Sequence, residues 1–316
     1  MNLWSRWNRF WFAPAPAADL AVGRFLFFTG FFAFSLTRAF HEWAEVPDFL
    51  HAFRARYLVW LAVPVPGTLP LMGIEWLWRL AIFMAAIGLL TRPACFAAGF
   101  GSLYLMGLDA PDVAGRSYTA GVFVPLILGV SRCGDVLSVD AWIRRRRGRD
   151  VAGPPEEYGW PVRLVCAFLS CIFFAAGVAK VRFGGFPDWM LSDTIRHAIL
   201  QGGYWYTSRG RPATDLGPWL LQWHPMSTVI IGVVAQVAEL LYPAALFSGR
   251  ARWVLVPVMG ALLVGFWLCM GPFFFLTLLA HVFWVPWSAL WRRMGSGRNI
   301  VEIRPRPSRD PAGQPG

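Results

Sequence analysis

Lysine, and charge in general, are scarce in this sequence. Of its 29 basic residues 28 are arginine, and Lys180 is the only lysine. Charged residues make up 15% of the 316 residues and hydrophobic residues 56%. A soluble domain has about 25% charged and about 45–50% apolar residues. These shortages exclude an ordinary soluble globular domain and indicate a membrane protein.

Cysteine motifs and the common catalytic motifs are also missing. The five cysteines are odd in number and form no CxxC, which predicts small core residues rather than disulfides or metal ligands. The sequence contains no HExxH, GxSxG, Walker A or GxGxxG motif. The net charge of +11 does not predict nucleic-acid binding, because the arginines lie mostly in loops and tails, where they set membrane orientation.

The fold class follows from long, continuous apolar runs. Inside lipid only helices and closed barrels satisfy the backbone, and these runs do not alternate as barrel strands do. We therefore predict an all-α fold, a polytopic membrane helix bundle of about eight transmembrane helices. Their approximate bounds are residues 20–40, 71–90, 93–108, 117–130, 162–181, 226–247, 253–270 and 273–291.

Three segments and one orientation are predicted from the distribution of charge. Residues 1–19 form an amphipathic interfacial segment, residues 20–291 the membrane domain, and residues 292–316 a disordered basic tail. The arginines at positions 92, 144–147, 149, 250, 252, 292 and 293 all fall on the side of the N-terminus. The positive-inside rule then predicts a cell-membrane protein with both termini cytoplasmic and Lys180 at the extracytoplasmic end of the fifth helix.

Charged residues inside the helical runs are predicted to reach water or to neutralise one another. Arg24 and Arg38 lie near the two ends of the first run, where long side chains extend to the interface. Glu75 and Arg79 are four residues apart, share one helix face and are predicted to pair.

Lys180 and Glu239 are the leading candidates for chemistry. Arginine cannot be deprotonated in a protein, whereas a desolvated lysine can act as a general base or form a Schiff base. The structural alternative is a lysine that snorkels to water at the membrane face. Glu239 lies inside the sixth run, where it can relay protons, pair with Lys180 or stay protonated among packed helices. Asp188, His197 and His281 rank third, since such histidines are more often hydrogen-bonded scaffold.

Four stretches carry a resemblance to a known family. They are Leu20-Ala21-Val22-Gly23-Arg24-Phe25-Leu26-Phe27; Asp109 followed by Ser117-Tyr118 and Gly121; Ser138-Val139-Asp140; and Phe173-Phe174-Ala175-Ala176-Gly177-Val178-Ala179-Lys180 followed by Trp189. On these stretches the chain resembles the membrane domain of vitamin K-dependent γ-glutamyl carboxylase and its bacterial relatives, the horizontally transferred transmembrane (HTTM) proteins. The Lys180 stretch is the most specific of the four.

The resemblance implies a lyase-type reaction that begins at a lysine. In the carboxylase, the lysine at the Lys180 position deprotonates reduced vitamin K, and oxygen turns that quinol into a strongly basic alkoxide. The alkoxide removes a γ-proton from a glutamate, and the carbanion takes up carbon dioxide. The resemblance therefore implies Lys180 as the catalytic base and a reduced vitamin K of the menaquinol type as cofactor, with no metal.

Two departures from the family bear on the carboxylation step. The family's Asn-His before Ser-Tyr is Gly115-Arg116 here, and a guanidinium cannot act as a neutral imidazole. The His-x-x-Asn of the seventh helix has no counterpart in residues 261–265. The chain also ends soon after the eighth run, without the large extramembrane domain of the carboxylase. We expect the quinol-facing half of the chemistry rather than full protein-glutamate carboxylation.

The favoured function is an enzyme that uses Lys180 on a quinol or another membrane-accessible substrate at the extracytoplasmic face. The predicted substrate-binding residues are Arg116, Ser117, Tyr118, Trp189 and Glu239. Arg116 would bind an anionic group. The predicted partners are membrane lipids, the lipid-soluble quinol and a peptide or protein substrate, but no nucleic acid. The alternative is a non-catalytic membrane scaffold that assists maturation or export of a peptide or protein, and a transporter is third.

Overall fold

The protein is described here from a computed structural model. The structure describes residues 2–47, 49, 55–108, 115–149, 153–185, 187–191, 193–208, 214–223, 226–271 and 274–293. Within these residues the chain is all-helical and contains no β-strand, which confirms the predicted fold class. Asp109 and residues 294–316 of the predicted tail lie outside the described residues.

The α-helices follow one another along the chain. They are α1 (Leu3–Phe12), α2 (Ala17–Ser35), α3 (Arg56–Trp60), α4 (Thr68–Ile87), α5 (Thr91–Leu108), α6 (Gly115–Val130), α7 (Val139–Arg146), α8 (Glu156–Gly184), α9 (Asp188–Leu191), α10 (Thr194–Ser208), α11 (Leu216–Trp223), α12 (Ser227–Leu241), α13 (Ala244–Phe247), α14 (Gly249–Met270), α15 (Phe275–Leu279) and α16 (Trp287–Arg293). Residues Phe40–Glu45 and Ala280–Trp284 form 3₁₀ helices.

In the part of the chain that the structure describes, four helices are long and apolar enough to cross a membrane, namely α2, α4, α8 and α14. The bent pair of α11 and α12 forms a fifth candidate. These helices fall on the predicted runs at 20–40, 71–90, 162–181, 253–270 and 226–247. Helices α5 and α6 fall on the third and fourth runs, but α6 has only 16 residues and α5, with 18, is not among the membrane-length apolar helices.

The eighth predicted run, residues 273–291, is not one continuous helix. α15 ends at Leu279, a 3₁₀ helix follows, and α16 begins only at Trp287. Pro286 separates the last two elements, and Val285 before it is extended, with φ −87° and ψ 123°. Proline disfavours the helical conformation of the residue before it, which explains the break. The broken element places several polar groups inside the bundle.

Aromatic side chains fill the centre of the bundle around α2. Phe27 and Phe31 are fully buried, and Phe31 meets Trp78 of α4 edge-on with ring centroids 5.6 Å apart. Between helices in lipid there is no hydrophobic driving force, so close packing holds them together. Each edge-to-face pair contributes about 0.5–1.5 kcal/mol beyond simple burial. Edge-to-face packing of aromatic rings therefore contributes to holding α2 and α4 together.

Helices α2 and α8 begin side by side. The Ala15 N–H donates to the Pro155 carbonyl at 3.1 Å, and Arg163 at the start of α8 donates to the carbonyls of Trp11 and Ala13 at 2.8 and 3.0 Å. The two helices pack against each other from this shared start. Lys180, near the C-terminal end of α8, therefore lies at the opposite end of the bundle from this start.

Arg24 does not reach the interface as its sequence position predicted. Its side chain is fully buried and donates to the Ala85 carbonyl at 3.1 Å and to the Leu137 carbonyl at 2.6 Å. Ala85 lies in the last turn of α4, whose carbonyls lack helical partners, so the guanidinium caps that end. Gly88, with φ +71°, ends α4, and a Cβ at this position would overlap the guanidinium.

The Ser138-Val139-Asp140 stretch belongs to the same structural unit as Arg24. The Ser138 hydroxyl caps α7 by accepting from the Ala141 N–H at 2.9 Å. The Asp140 carboxylate accepts from the N–H groups of Leu90 and Thr91 at 2.9 and 2.7 Å, at the start of α5. Two of the four stretches that carry the family resemblance thus connect helix ends, and their role is structural.

Candidate functional site

Lys180 forms an ion pair with Glu239. Its Nζ donates to Oε1 of Glu239, so neither helix carries an isolated charge at this contact. Lys180 is the 25th residue of the 29-residue α8, and Glu239 lies in the last turn of α12. The two residues are 59 positions apart in sequence. Of the three roles open to Glu239, the structure shows the pairing with Lys180.

Gly177 explains why the two helices come close enough for this pair. A Cβ at this position would lie 3.1 Å from the side chain of Leu240 and 3.2 Å from that of Glu239. Gln236, one turn before Glu239, donates from Nε2 to the Gly177 carbonyl at 2.8 Å. Small residues allow helix backbones to approach each other in membranes. Three residues after Gly177, on the same face of α8, Lys180 then meets Glu239.

Trp189 lies against Lys180 and is its second neighbour. The Nζ of Lys180 is 4.5 Å from the centroid of the Trp189 ring. Trp189 belongs to the short helix α9, which follows a reversal of the chain after α8. Gly185 makes that reversal with φ +78°, a conformation that side chains disfavour, and its carbonyl accepts from the Trp189 N–H at 3.0 Å. The lysine therefore has a carboxylate and an aromatic face as neighbours.

The side chains of the pair are largely shielded from the outside of the bundle. The side chain of Lys180 is 21% exposed and that of Glu239 is 7% exposed. A single unpaired charge inside a membrane helix costs about 2.5–3.5 kcal/mol on insertion scales. A lysinium beside a carboxylate has no net charge, and the same holds after the proton moves from lysine to carboxylate. As a unit the pair can therefore take up one more proton, which is the capacity that proton-transfer chemistry requires.

Tyr118, a predicted substrate-binding residue, contacts a different part of the bundle. It is buried, its ring centroid lies 6.3 Å from that of Phe34, and the guanidinium of Arg38 lies 5.6 Å above it. Among the contacts of the described residues, none joins Tyr118 to Lys180. The side chains of Arg116 and Ser117 lie outside the described part of the structure. Of the predicted set, Glu239 and Trp189 are brought to Lys180.

The third-rank candidates remain outside this cluster. His281 is partly buried and lies between Tyr242 and the Thr277 carbonyl, with its two ring nitrogens 3.2 and 2.9 Å from the Tyr242 hydroxyl and that carbonyl. This arrangement matches the hydrogen-bonded histidine expected from the sequence. His197 is exposed on α10, and Asp188 is the first residue of α9, next to Trp189.

A second polar cluster was only half predicted. Glu75 and Arg79 form the expected pair, and Glu75 is fully buried. His41 completes the cluster, because its backbone N–H and its Nδ1 lie 3.0 and 2.8 Å from the Glu75 carboxylate. Arg79 also donates to the carbonyls of Ser35 and Arg38. Sequence spacing showed the first pair, but nothing in the spacing indicated a histidine 34 residues away.

Comparison of the chain with protein-family models, with curated proteins and with solved structures finds no match. Among the described residues, no group of three or more His, Cys, Asp or Glu side chains is arranged to hold a metal ion. The class that the fold defines is therefore an all-helical protein with several helices able to cross a membrane.

Proposed function

We propose that this protein is a membrane enzyme of the HTTM type, in which the Lys180–Glu239 pair accepts a proton from a membrane-accessible substrate. The observation that carries the proposal is the pair itself. The chain's only lysine faces a nearly buried carboxylate and an aromatic ring at the end of a long apolar helix. The likeness of the Ala-Gly-x-x-Lys stretch to the carboxylase family supports it further.

The membrane arrangement is part of the proposal. Eight segments cross the membrane, with α5, α6 and the broken α15–α16 region completing the five candidates of membrane length. Both termini are cytoplasmic, because the arginine-rich connections fall on their side. The shared start of α2 and α8 then lies at the cytoplasmic face, and Lys180 lies near the extracytoplasmic face.

Proton transfer from the substrate to the pair leaves the total charge of pair and substrate unchanged. The pair begins with no net charge, as a neutral Lys180 amine beside a protonated Glu239, and ends with one positive charge after the amine accepts a proton from an acidic hydroxyl of the substrate. The ammonium of Lys180 then lies beside the substrate anion that has formed, and it stabilises that anion in a medium of low polarity. Glu239 keeps the Lys180 amine available as a base by holding the pair's own proton. Arginine at position 180 would keep the charge but could not exchange its proton.

A quinol fits the chemistry of these neighbours. Trp189 offers an aromatic face beside the Lys180 amine. Phe174, Val178 and Val181 of α8 are exposed, so the approach along this helix is apolar, as a lipid-soluble ring requires. Trp189 and Lys180 would hold the ring and one hydroxyl respectively. When bound, a reduced vitamin K of the menaquinol type would supply an ionisable hydroxyl and reducing equivalents.

The test is quinol oxidation, and carbon dioxide incorporation into a glutamate peptide, by purified protein in lipid nanodiscs supplied with menaquinol. A positioned base contributes about 10²–10⁴-fold in rate, and we expect both Lys180→Ala and Lys180→Arg to lose a factor of that order. Arg182→Ala, which removes a charge from the same end of α8, should retain activity. Activity in Lys180→Arg equal to that of the wild type would refute the base role.

One observation favours a second candidate, the non-catalytic scaffold. The ion pair joins α8 to α12 across 59 residues of sequence and would stabilise the bundle without any reaction. In that case a peptide or protein partner would be matured or exported with the help of the bundle surface. Lys180→Arg would then support the cellular phenotype in full, and menaquinol would show no turnover with any variant.

A further inference from the structure

A row of polar side chains continues inward from the Lys180–Glu239 pair. On α12, Gln236 and Glu239 are followed by Tyr242 directly after the helix, at spacings of three residues that keep them on one face. Gln236, Glu239 and Tyr242 are all buried. Their neighbours lie on α8 and on the 3₁₀ helix Ala280–Trp284, which packs against α8. We call this contact between α12, α8 and the α15–3₁₀ segment the polar seam.

Three oxygen atoms on buried side chains of α12 and α15 lack a hydrogen-bond donor among the described residues. They are Oε1 of Gln236, Oε2 of Glu239 and Oγ1 of Thr277. The three residues are 1%, 6% and 2% exposed. An orphaned buried polar group costs about 1–3 kcal/mol, so native structures rarely leave several of them together. Buried water commonly supplies the missing hydrogen bonds.

The inner end of the seam is a tyrosine–histidine pair with a defined direction. The Nδ1 of His281 faces the Thr277 carbonyl at 2.9 Å, and a carbonyl only accepts, so Nδ1 carries the hydrogen. In the neutral imidazole Nε2 then accepts from the Tyr242 hydroxyl at 3.2 Å. The Tyr242 oxygen can accept from a further donor while its own hydrogen points at His281. A proton can therefore pass along this pair in one step.

We propose that ordered water in the polar seam connects the Lys180–Glu239 pair to the Tyr242–His281 pair and forms a proton-transfer path. In this path a chain of water molecules contacts Glu239 Oε2 and Thr277 Oγ1 and extends to the oxygen of the Tyr242 hydroxyl. A proton leaving Glu239 moves onto this water, the water passes one to the Tyr242 oxygen, and Tyr242 gives its own hydrogen to Nε2 of His281. Glu239 ends as the carboxylate, Tyr242 ends neutral and His281 ends as the imidazolium, so the protons and charges balance and no oxidant or reductant is needed.

This path deepens the proposed function, because it gives the proton taken from the substrate a route away from the site. It rests on that proposal only for the origin of the proton. Its water and its proton exchange exist without any substrate and can be measured without menaquinol. A failure of the quinol assay would thus leave the path standing, and a dry seam would leave the Lys180 base role standing.

The test is water-edited solid-state NMR of the ¹⁵N-histidine-labelled protein in lipid bilayers. The His281 signal is assigned by its loss in His281→Gln. We expect magnetisation from water to reach the His281 ring, and Thr277→Val, which removes one orphaned oxygen at nearly constant volume, to weaken that transfer several-fold. Ser102→Ala is the matched control, because Ser102 is equally buried on α5 but bonds to the Ala98 carbonyl away from the seam.

A second variant separates water from proton transfer. Glu239→Gln keeps the shape of the side chain but removes its acid, so the water signal at His281 should persist while exchange of the ring proton with bulk water slows several-fold. Gln236→Leu serves in place of Thr277→Val should that variant not fold. Absence of water magnetisation at His281 overturns the proposal, as does transfer that Thr277→Val and Gln236→Leu leave unchanged. Unchanged exchange in Glu239→Gln overturns the proton path.

Discussion

Replacing Lys180 by alanine and Glu239 by glutamine, singly and together, measures how strongly the ion pair holds α8 to α12. The two single changes differ in what they leave behind. Lys180→Ala leaves a carboxylate that is 7% exposed and has lost the donor to its Oε1. Glu239→Gln leaves an ammonium that is 21% exposed, on a long stem that can extend toward water. In this double-mutant cycle the two single variants should therefore lose different amounts of stability.

The magnitudes follow from burial. Removing one partner of a buried pair costs about 3–5 kcal/mol in free energy of unfolding, and we expect Lys180→Ala to lie at the lower end of that range. We expect about 1–2 kcal/mol for Glu239→Gln, since the amide still accepts a hydrogen bond from the lysine. The double variant holds no buried charge, so it should be more stable than the sum of the singles by about 1–3 kcal/mol.

The assay is reversible unfolding in lipid–detergent mixtures, followed by the near-ultraviolet signal of the tryptophans. Arg182→Ala combined with Glu239→Gln is the control cycle, because Arg182 stacks on Phe183 and makes no described contact with Glu239. That cycle should be additive to within about 0.5 kcal/mol. If the stability losses of Lys180→Ala and Glu239→Gln simply add in the double variant, the ion pair does not form in the membrane, and the proposed site is wrong.

Three further changes test the surrounding structure by the same unfolding assay. Arg24→Met should destabilise the protein by about 3 kcal/mol, because the buried carbonyls of Ala85 and Leu137 lose their donor. The control is Arg145→Met, which changes a surface arginine. Equal stability of the two variants would contradict the capping role of Arg24. Gly177→Val should separate α8 from α12 and lower stability by about 1–3 kcal/mol, with Gly249→Val, which has open space, neutral by comparison. Glu75→Gln should cost about 2–4 kcal/mol, since Arg79 then lacks its ionised partner, whereas exposed Glu42→Gln should have little effect.

The stretches that resemble the carboxylase family divide into two physical roles. Arg24 and Asp140 connect the ends of α4, α5 and α7 at the end of the bundle where α2 begins. Gly177 and Lys180 lie on α8, where one allows close approach and the other uses it to reach Glu239. A likeness in the first group therefore predicts a fold, and only the second group bears on chemistry.

Patterns of neighbouring residues in the sequence predicted much of the fold. Long apolar runs can bury their backbone in lipid only as helices, which is why α2, α4, α8 and α14 were predicted close to their observed positions. The Glu75–Arg79 pair followed from a spacing of four on one helix. The break at Pro286 was missed, because an apolar run containing a proline reads as a membrane helix by composition alone.

The sequence by itself determined that Lys180 is chemically unusual, since a single lysine among arginines needs no structure to be noticed. Its partner Glu239 was one of three possibilities, and only the packing of α12 against Gly177 decided among them. The fold of Gly185 placed Trp189 over the lysine, and the packing of α6 against α2 gave Tyr118 other neighbours. Contacts between residues 59 positions apart depend on how helix faces meet, and no local pattern in a chain records that geometry.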